Sequence, residues 1–285
     1  MNKRVTTLVV LFLLAASTCW ANSTDNSQAI AVKVTGSGQP VLYLPGFACP
    51  GSVWAGTMQH LEGPYQNHAV TYAGFGGVPA VAPRQWYAAV RQALIDYVTT
   101  HQLTNLTIIG HSMGGNLAVD IAAALPQTVQ QLVLVDALPC MREVMMPGVP
   151  ASNLQYDSPY NNNMLQMTDE AFTQTANMMA QNMTLTADQV PTLVGWMQQA
   201  DRQTFVYGYT DLLKLDLRAV LDQITAKTLI IAAAWPTEAV AQATMTQQYE
   251  GLANKTITMV NNSRHFIMFD QPEWFYGQVN AFMHQ

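Results

Sequence analysis

Leu106-Thr-Ile-Ile-Gly-His-Ser-Met-Gly-Gly-Asn116 is the stretch from which the architecture of this 285-residue chain can be inferred. Its β-branched Thr-Ile-Ile start predicts a buried parallel strand. From Leu117 onward the apolar residues recur at helical spacing, which predicts a helix. A G-x-S-x-G turn, Gly110 to Gly114, joins the two, and its glycines permit a sharp, strained backbone at Ser112. This context predicts a nucleophilic serine whose hydroxyl is exposed above a sheet.

The composition indicates a globular chain of one large α/β domain, with room for an insertion. Hydrophobic residues make up 49% of the sequence and charged residues 11%, which argues against disorder. The net charge of −6 and the lack of a basic cluster argue against a nucleic-acid partner. The sequence contains no cluster of metal ligands at a recognised spacing, so neither a metal nor an organic cofactor is expected.

The N-terminus has the pattern of a signal peptide. Lys3 and Arg4 precede an apolar run from Val5 to Ala16, and Cys19-Trp-Ala21 follows, so we expect residues 1–21 to be removed after Ala21. The apolar run is short for a membrane span. The mature protein is therefore expected in the periplasm or secreted, with no stable membrane span after cleavage.

Buried strands alternate with helices along most of the mature chain, which predicts a mostly parallel sheet flanked by helices with right-handed crossovers. The predicted strands lie at residues 30–34, 41–44, 68–72, 107–109, 131–136, 227–232 and 255–260, and a long helix at 84–101. This core comprises residues 22–137 and 218–285.

Residues 138–217 interrupt the alternation and predict an inserted helical cap. They contain no buried strand, and helical patterns occur at 168–183, 187–199 and 202–213. Nine of the 16 methionines fall in this segment. Methionines adapt to irregular apolar pockets, so they could line a substrate pocket or simply pack the cap helices.

Four segments, in this order, resemble motifs of the α/β-hydrolase superfamily over nearly all of the mature chain. They are Leu44-Pro-Gly-Phe47, Gly74-Phe-Gly-Gly77, the serine turn, and Ser263 to Glu273 around His265. Pro45 stands where the family commonly has a histidine. The resemblance implies the α/β-hydrolase fold and leaves the substrate open.

The resemblance and the chemistry assign roles to the residues of these motifs. Ser112 needs a base within hydrogen-bond reach, and His265 is the candidate that takes the proton and returns it to the leaving group. The backbone amides of Phe47 and Met113 are expected to form the oxyanion hole. We expect His111 to pack beneath the turn rather than take part in the chemistry.

Two carboxylates compete for the role of triad acid. The family's commonest position follows the strand 227–232, where Ala233 to Pro236 offers no carboxylate and Glu238 lies slightly further on. Asp136 ends the strand before the cap, which is the other position known in the family. We favour Asp136, because a carboxylate in the first turn of a helix, as expected for Glu238, has an ordinary use against the helix dipole.

Together these features predict an exported serine hydrolase that cleaves a small or medium apolar carboxylic ester through an acyl-enzyme. A lactonase or amidase on the same triad is the alternative within enzymes. A non-catalytic ligand-binding protein of the same fold is the alternative from another class. A small-molecule ester or lactone is the one partner expected.

Two cysteines remain after signal cleavage, Cys49 and Cys140. Each follows a predicted strand, and the carboxyl ends of parallel strands meet at one edge of a sheet. A disulfide there would fix the oxyanion loop to the root of the cap. The alternative is two unpaired, buried thiols, and the sequence leaves both open.

Overall fold

A computed structural model describes residues 29–285 of the chain. The predicted signal peptide, residues 1–21, lies outside the described residues. Within them, no helix combines the length and the apolar character needed to cross a bilayer.

Seven strands form one sheet in the order β1-β3-β2-β4-β5-β6-β7. They are β1 (Ile30–Gly36), β2 (Gln39–Leu44), β3 (Tyr65–Tyr72), β4 (Leu106–His111), β5 (Val129–Val135), β6 (Lys227–Ala233) and β7 (Lys255–Val260). Strand β1 pairs antiparallel with β3, and every other pairing is parallel. All six residues of β4 are buried, as expected for a strand covered by helices on both faces.

Outside the cap, six α-helices of the described chain flank the sheet, and the last two of them follow β7. The six are α1 (Ala55–His60), α2 (Trp86–Thr100), α3 (Met113–Ala124), α9 (Glu238–Gln248), α10 (Ile267–Asp270) and α11 (Pro272–Met283). Helix α3 begins one residue after Ser112 and buries ten of its 12 residues against the sheet and its neighbours. Burial this complete fixes the start of α3, and with it the serine turn.

The inserted helical cap lies between β5 and β6. It consists of α4 (Met141–Met145), α5 (Pro159–Gln166), α6 (Asp169–Met183), α7 (Val190–Gln199) and α8 (Arg202–Lys214). Side-chain oxygens of Ser158, Thr168 and Asp201 cap the starts of α5, α6 and α8. The mostly parallel sheet with an inserted helical cap confirms the predicted fold class.

The structure corrects several predicted boundaries. Strand β3 begins at Tyr65 rather than at residue 68, because its first residues pair with both neighbouring strands although they are only partly buried. Helices α4 and α5 were not predicted, because α4 has only five residues and α5 is rich in asparagine.

The register of the central strands brings three loops together. Leu44 pairs with Gly110, and His111 pairs with Val135, so β2, β4 and β5 end at nearly the same level. The loops after these strands therefore emerge side by side at the carboxyl edge, where open α/β sheets bind their ligands.

Candidate active site

Ser112 occupies a strained turn between β4 and α3. Its φ is 52° and its ψ is −122°, a conformation that non-glycine residues rarely adopt. Its amide donates to the Val135 carbonyl at 2.9 Å. A Cβ on Gly110 would lie 2.4 Å from the Gly114 carbonyl oxygen, and one on Gly114 would lie 2.1 Å from that of Leu44. Only glycine fits at these two positions, as the G-x-S-x-G pattern predicts.

Asp136 and His265 form a hydrogen-bonded pair at the same edge of the sheet. Asp136 follows β5, and its Oδ2 lies 2.7 Å from Nδ1 of His265. Its Oδ1 accepts the Ala233 amide at 3.0 Å. Because the carboxylate accepts the Nδ1 proton, Nε2 carries the free lone pair of the neutral imidazole.

Glu238 has a different place. It is the first residue of α9, its carboxylate accepts a hydrogen bond from Asn261 Nδ2 at 3.4 Å, and it is not among the residues that line the cavity. Of the two candidate acids, Asp136 is the one that the structure brings to His265.

His111 packs beneath the turn, as its position in the motif predicts. Its Nε2 lies 2.9 Å from the His265 backbone carbonyl and must donate to it, and the two imidazole centroids are 4.5 Å apart. Burial, helped by the neighbouring His265, lowers the pKa of His111 well below its ordinary value. His111 therefore stays neutral and supports the segment that carries His265.

The loop after β2 is held firmly although Pro45 replaces the family's common histidine. The Tyr72 hydroxyl donates to the Pro45 carbonyl at 3.1 Å. The Phe47 ring packs against four other aromatic rings, those of Phe75, Trp86, Phe205 and Tyr209. Within residues 29–285, the amides of Phe47 and Met113 donate to no other protein group, so both are available to an oxyanion.

A cavity of about 430 Å³ lies above these residues, in the size range of small-molecule sites. Ser112 and His265 both line it, although no hydrogen bond joins their side chains among the described residues; such bonds often tighten only when substrate binds. Its wall is mainly apolar, and six methionines contribute: Met141, Met145, Met179, Met183, Met197 and Met245. Five of the six belong to the cap, so these methionines do line a pocket.

Asp270 supports the site, although no role was predicted for it from the sequence. Its Oδ1 accepts from the Thr184 and Thr186 hydroxyls and from the Leu185 and Thr186 amides, at 2.6 to 3.0 Å. Its Oδ2 accepts the Arg264 amide at 2.8 Å. One carboxylate thus joins the turn after α6 to the segment that carries His265. No sequence signal marks such a role, because the partners Thr184 to Thr186 lie more than 80 residues away.

Cys49 and Cys140 are both buried and unbonded. Cys49 lines the cavity, and burial raises the pKa of its thiol. Of the two arrangements that the sequence left open, the structure has the unpaired one.

Residues 41–278 match the family model described as the alpha/beta hydrolase family. The chain belongs to this family. The assignment confirms the resemblance carried by the four motifs, and with it the expectation of a hydrolase.

Known proteins resemble this chain over much of its length, at low sequence identity. A pimeloyl-[acyl-carrier protein] methyl ester esterase from Nitrosomonas europaea is 26% identical over 212 residues, which are 71% of this chain and 79% of the relative. An esterase from Exiguobacterium antarcticum superposes with a TM-score of 0.75 at 21% identity, over 90% of this chain and 98% of its own. An enol-lactonase from Burkholderia xenovorans superposes with a TM-score of 0.72 at 14% identity, over 90% of this chain and 96% of its own. The two structural likenesses show the shared fold.

Proposed function

We propose that this alpha/beta hydrolase is an exported serine esterase that cleaves a small or medium apolar carboxylic ester through an acyl-enzyme. Ser112 is the nucleophile, His265 the general base and acid, and Asp136 the acid of the triad. The observation that carries the proposal is the 2.7 Å bond between Asp136 and His265 Nδ1 at the cavity that Ser112 also lines. The relative named as a methyl ester esterase supports an ester as the scissile bond.

The proposed reaction follows from the positions of the atoms. His265 Nε2 takes the proton of Ser112 Oγ as the oxygen attacks the ester carbonyl, and Asp136 stabilises the imidazolium that forms. The Phe47 and Met113 amides donate to the developing oxyanion. The alcohol leaves with the proton from His265, and the acyl group stays on Ser112. Water, activated by the same imidazole, then releases the carboxylic acid and restores the serine.

Export is the second part of the proposal. It rests on the N-terminal sequence, in which Lys3 and Arg4 precede an apolar run and a small-residue site at Ala21. N-terminal sequencing of the protein recovered from the producing cells tests it, and Asn22 as the first residue is the expected result. A protein that retains Met1 in the cytosolic fraction would contradict export.

Labelling by a fluorophosphonate probe tests the nucleophile, because only an activated serine reacts with it. We expect wild-type protein to be labelled, and Ser112→Ala and His265→Ala to remain unlabelled. Ser52→Ala, at an exposed serine that does not line the cavity, is the matched control and should label like the wild type. A ligand-binding protein without an activated serine would not be labelled at all.

Hydrolysis assays on p-nitrophenyl esters, lactones and amides then test the bond that is cleaved. We expect esters to be the best substrates, and Ser112→Ala and His265→Ala each to lose at least about 10³-fold in kcat/KM. Residual activity above roughly a tenth of wild type in either variant would refute the triad. Faster turnover of lactones than of esters would make the protein a lactonase.

A further inference from the structure

Arg264 is the one lysine or arginine on the cavity wall, as far as the described residues show. It directly precedes His265. Among residues 29–285, the one carboxylate on that wall is Asp136, which is already bonded to His265 and to the Ala233 amide. The cavity is thus an apolar space with a single fixed cation beside the proposed catalytic base.

The guanidinium of Arg264 has no hydrogen-bond or ion-pair partner within residues 29–285. The other five arginines there all have one: Arg84, Arg91, Arg202 and Arg218 pair with carboxylates, and Arg142 donates to the Leu213 carbonyl. In a chain with more acidic than basic residues, an unpaired arginine is an exception. Its position on the cavity wall makes a ligand the natural partner.

The arginine is nevertheless held in place. Its amide donates to Asp270 at 2.8 Å, and its carbonyl accepts from the Ser263 hydroxyl at 3.0 Å. Its Cζ lies 4.9 Å from the centre of the Trp235 ring, and Trp235 also lines the cavity while remaining 56% exposed. The backbone bonds and the ring contact together limit where the guanidinium can go.

Stacking on an aromatic ring uses the face of a guanidinium and leaves its in-plane N–H groups free. These groups match the two oxygens of a carboxylate, which arginine binds bidentately. Among the described residues, the two amide side chains on the wall are already engaged, since Asn116 donates to the Leu138 carbonyl and Asn182 to that of Met178. The free donors on this wall therefore include a fork suited to a carboxylate.

We propose that Arg264 and Trp235 form a carboxylate subsite, and that the preferred substrates are esters with a second, free carboxylate, such as monoesters of dicarboxylic acids. The apolar wall would hold the carbon chain between the ester and the carboxylate. This inference rests on the proposed esterase function, since it names the substrate class of the same cavity.

The test compares kcat/KM for monomethyl esters of linear dicarboxylic acids of increasing chain length with the matching monoester amides, which lack the charge. We expect the wild type to favour the carboxylate at its best chain length by about 10- to 100-fold, the range for a hydrogen-bonded charge. Arg264→Gln should remove that preference while changing the amide by less than about threefold. Arg264→Lys should keep part of it, because lysine retains the charge without the fork. Arg84→Gln, which removes an exposed arginine that is not part of the cavity wall, is the control and should keep the full preference.

If the wild type cleaves the uncharged amide series as fast as the carboxylate series, the subsite is wrong. The same conclusion follows if Arg264→Gln loses kcat/KM equally on both series. Either result would leave the esterase proposal standing. Failure to cleave any ester, with no labelling of Ser112, would instead overturn the proposed function. Calorimetric binding of the same monoesters to the Ser112→Ala protein decides the subsite independently of turnover. Binding that weakens at least about tenfold when Arg264→Gln is added supports the subsite, and unchanged binding contradicts it.

Discussion

Two residues of the site have backbone conformations that ordinary side chains avoid. Ser112 has a φ of 52° and Asp136 a φ of 45°, and each follows the last residue of a central strand. Aspartate tolerates this region better than most residues, and the hydrogen bonds of its carboxylate to Ala233 and His265 hold it there. Such conformations persist where the surrounding structure over-determines them, and they cluster at functional sites.

Replacing each candidate acid by its amide separates Asp136 from Glu238. Asp136→Asn should lower kcat/KM by up to about 10⁴-fold, because the amide presents the wrong partner to His265 and cannot stabilise the imidazolium. Glu238→Gln should cost less than about tenfold in rate. Both are measured on one ester, with Asp188→Asn at an exposed position as the control. If Glu238→Gln lost its activity while Asp136→Asn kept it, Glu238 rather than Asp136 would be the acid of the triad.

Many of the individual site residues could be predicted from the sequence, and the others could not, for identifiable reasons. The serine turn and His265 lie in contiguous motifs, so their positions could be predicted. The choice between Asp136 and Glu238 depended on where α9 begins and on what His265 reaches, which the sequence only ranked. Asp270 and Arg264 sit inside a quoted motif, yet their roles come from residues far along the chain, Thr184 to Thr186 and Trp235.

At the scale of elements, the cap is fastened to the core at two points by buried or partly buried carboxylates. Asp270 joins the turn after α6 to the His265 segment. Asp211, on α8, accepts from the Tyr87 amide at the start of α2 and from the Tyr156 hydroxyl. Both contacts depend on an oxygen acceptor facing N–H and O–H donors.

Asp270→Asn should therefore loosen the first of these points. The amide turns two N–H donors toward groups that are themselves donors, and we expect a loss of about 1–3 kcal/mol in the free energy of unfolding. Urea denaturation measures it, with Asp188→Asn as the control, which should change stability by less than about 0.5 kcal/mol. A variant as stable as the control would show that water or neighbouring groups replace the lost bonds.

Asp211 should make the stability of the fold depend on pH. Burial raises its pKa above the ordinary 3.8, so its charged form is penalised in the folded state. Its contribution is therefore favourable at low pH and is lost as the pH rises through the folded-state pKa. We expect wild type to gain stability relative to Asp211→Asn as the pH falls from neutrality toward the ordinary pKa.

Asp216 should change the stability of the fold with pH in the opposite direction. Its hydrogen bond with Arg218 lowers its pKa, so its contribution is present above the ordinary pKa and is lost as the pH falls through the folded value. The free energy of unfolding of the wild type, relative to that of Asp216→Asn, should then decrease in acid. Denaturant unfolding of the three proteins from neutral pH to well below the ordinary pKa of aspartate gives both slopes, and equal slopes for the two variants would contradict the argument.

The elements that the sequence could predict are those with strong periodicity or full burial. Strands β4 and β5 and helices α2, α6 and α8 follow their patterns to within two or three residues. Helix α5 was missed because its residues Pro159–Gln166 are mostly polar, and only Asn161 and Met164 are buried. Its position is fixed by tertiary hydrogen bonds such as that from Asn161 Nδ2 to Thr210, which no local pattern reports.

For the whole molecule, the buried thiols predict a simple titration. Cys49 and Cys140 are unbonded and buried, so the folded protein should react slowly with a thiol reagent. The same protein, unfolded without reductant, should show two thiols per chain when it begins at Asn22, and three when Cys19 is retained. A count of zero in the mature chain would mean that the two cysteines are joined, and that the fold is cross-linked between the β2 loop and the cap.

The hydrogen bond between Asp136 and His265 has an evolutionary consequence for the loop after β6. With the triad acid at the end of β5, as we propose, that loop has no catalytic duty, yet it contributes Trp235 and Pro236 to the cavity wall. Mutations there can remodel the pocket without touching the groups that perform the reaction. Selection for new substrates, in nature or in a laboratory library, can therefore act on residues 234–237 while the catalytic machinery is inherited unchanged.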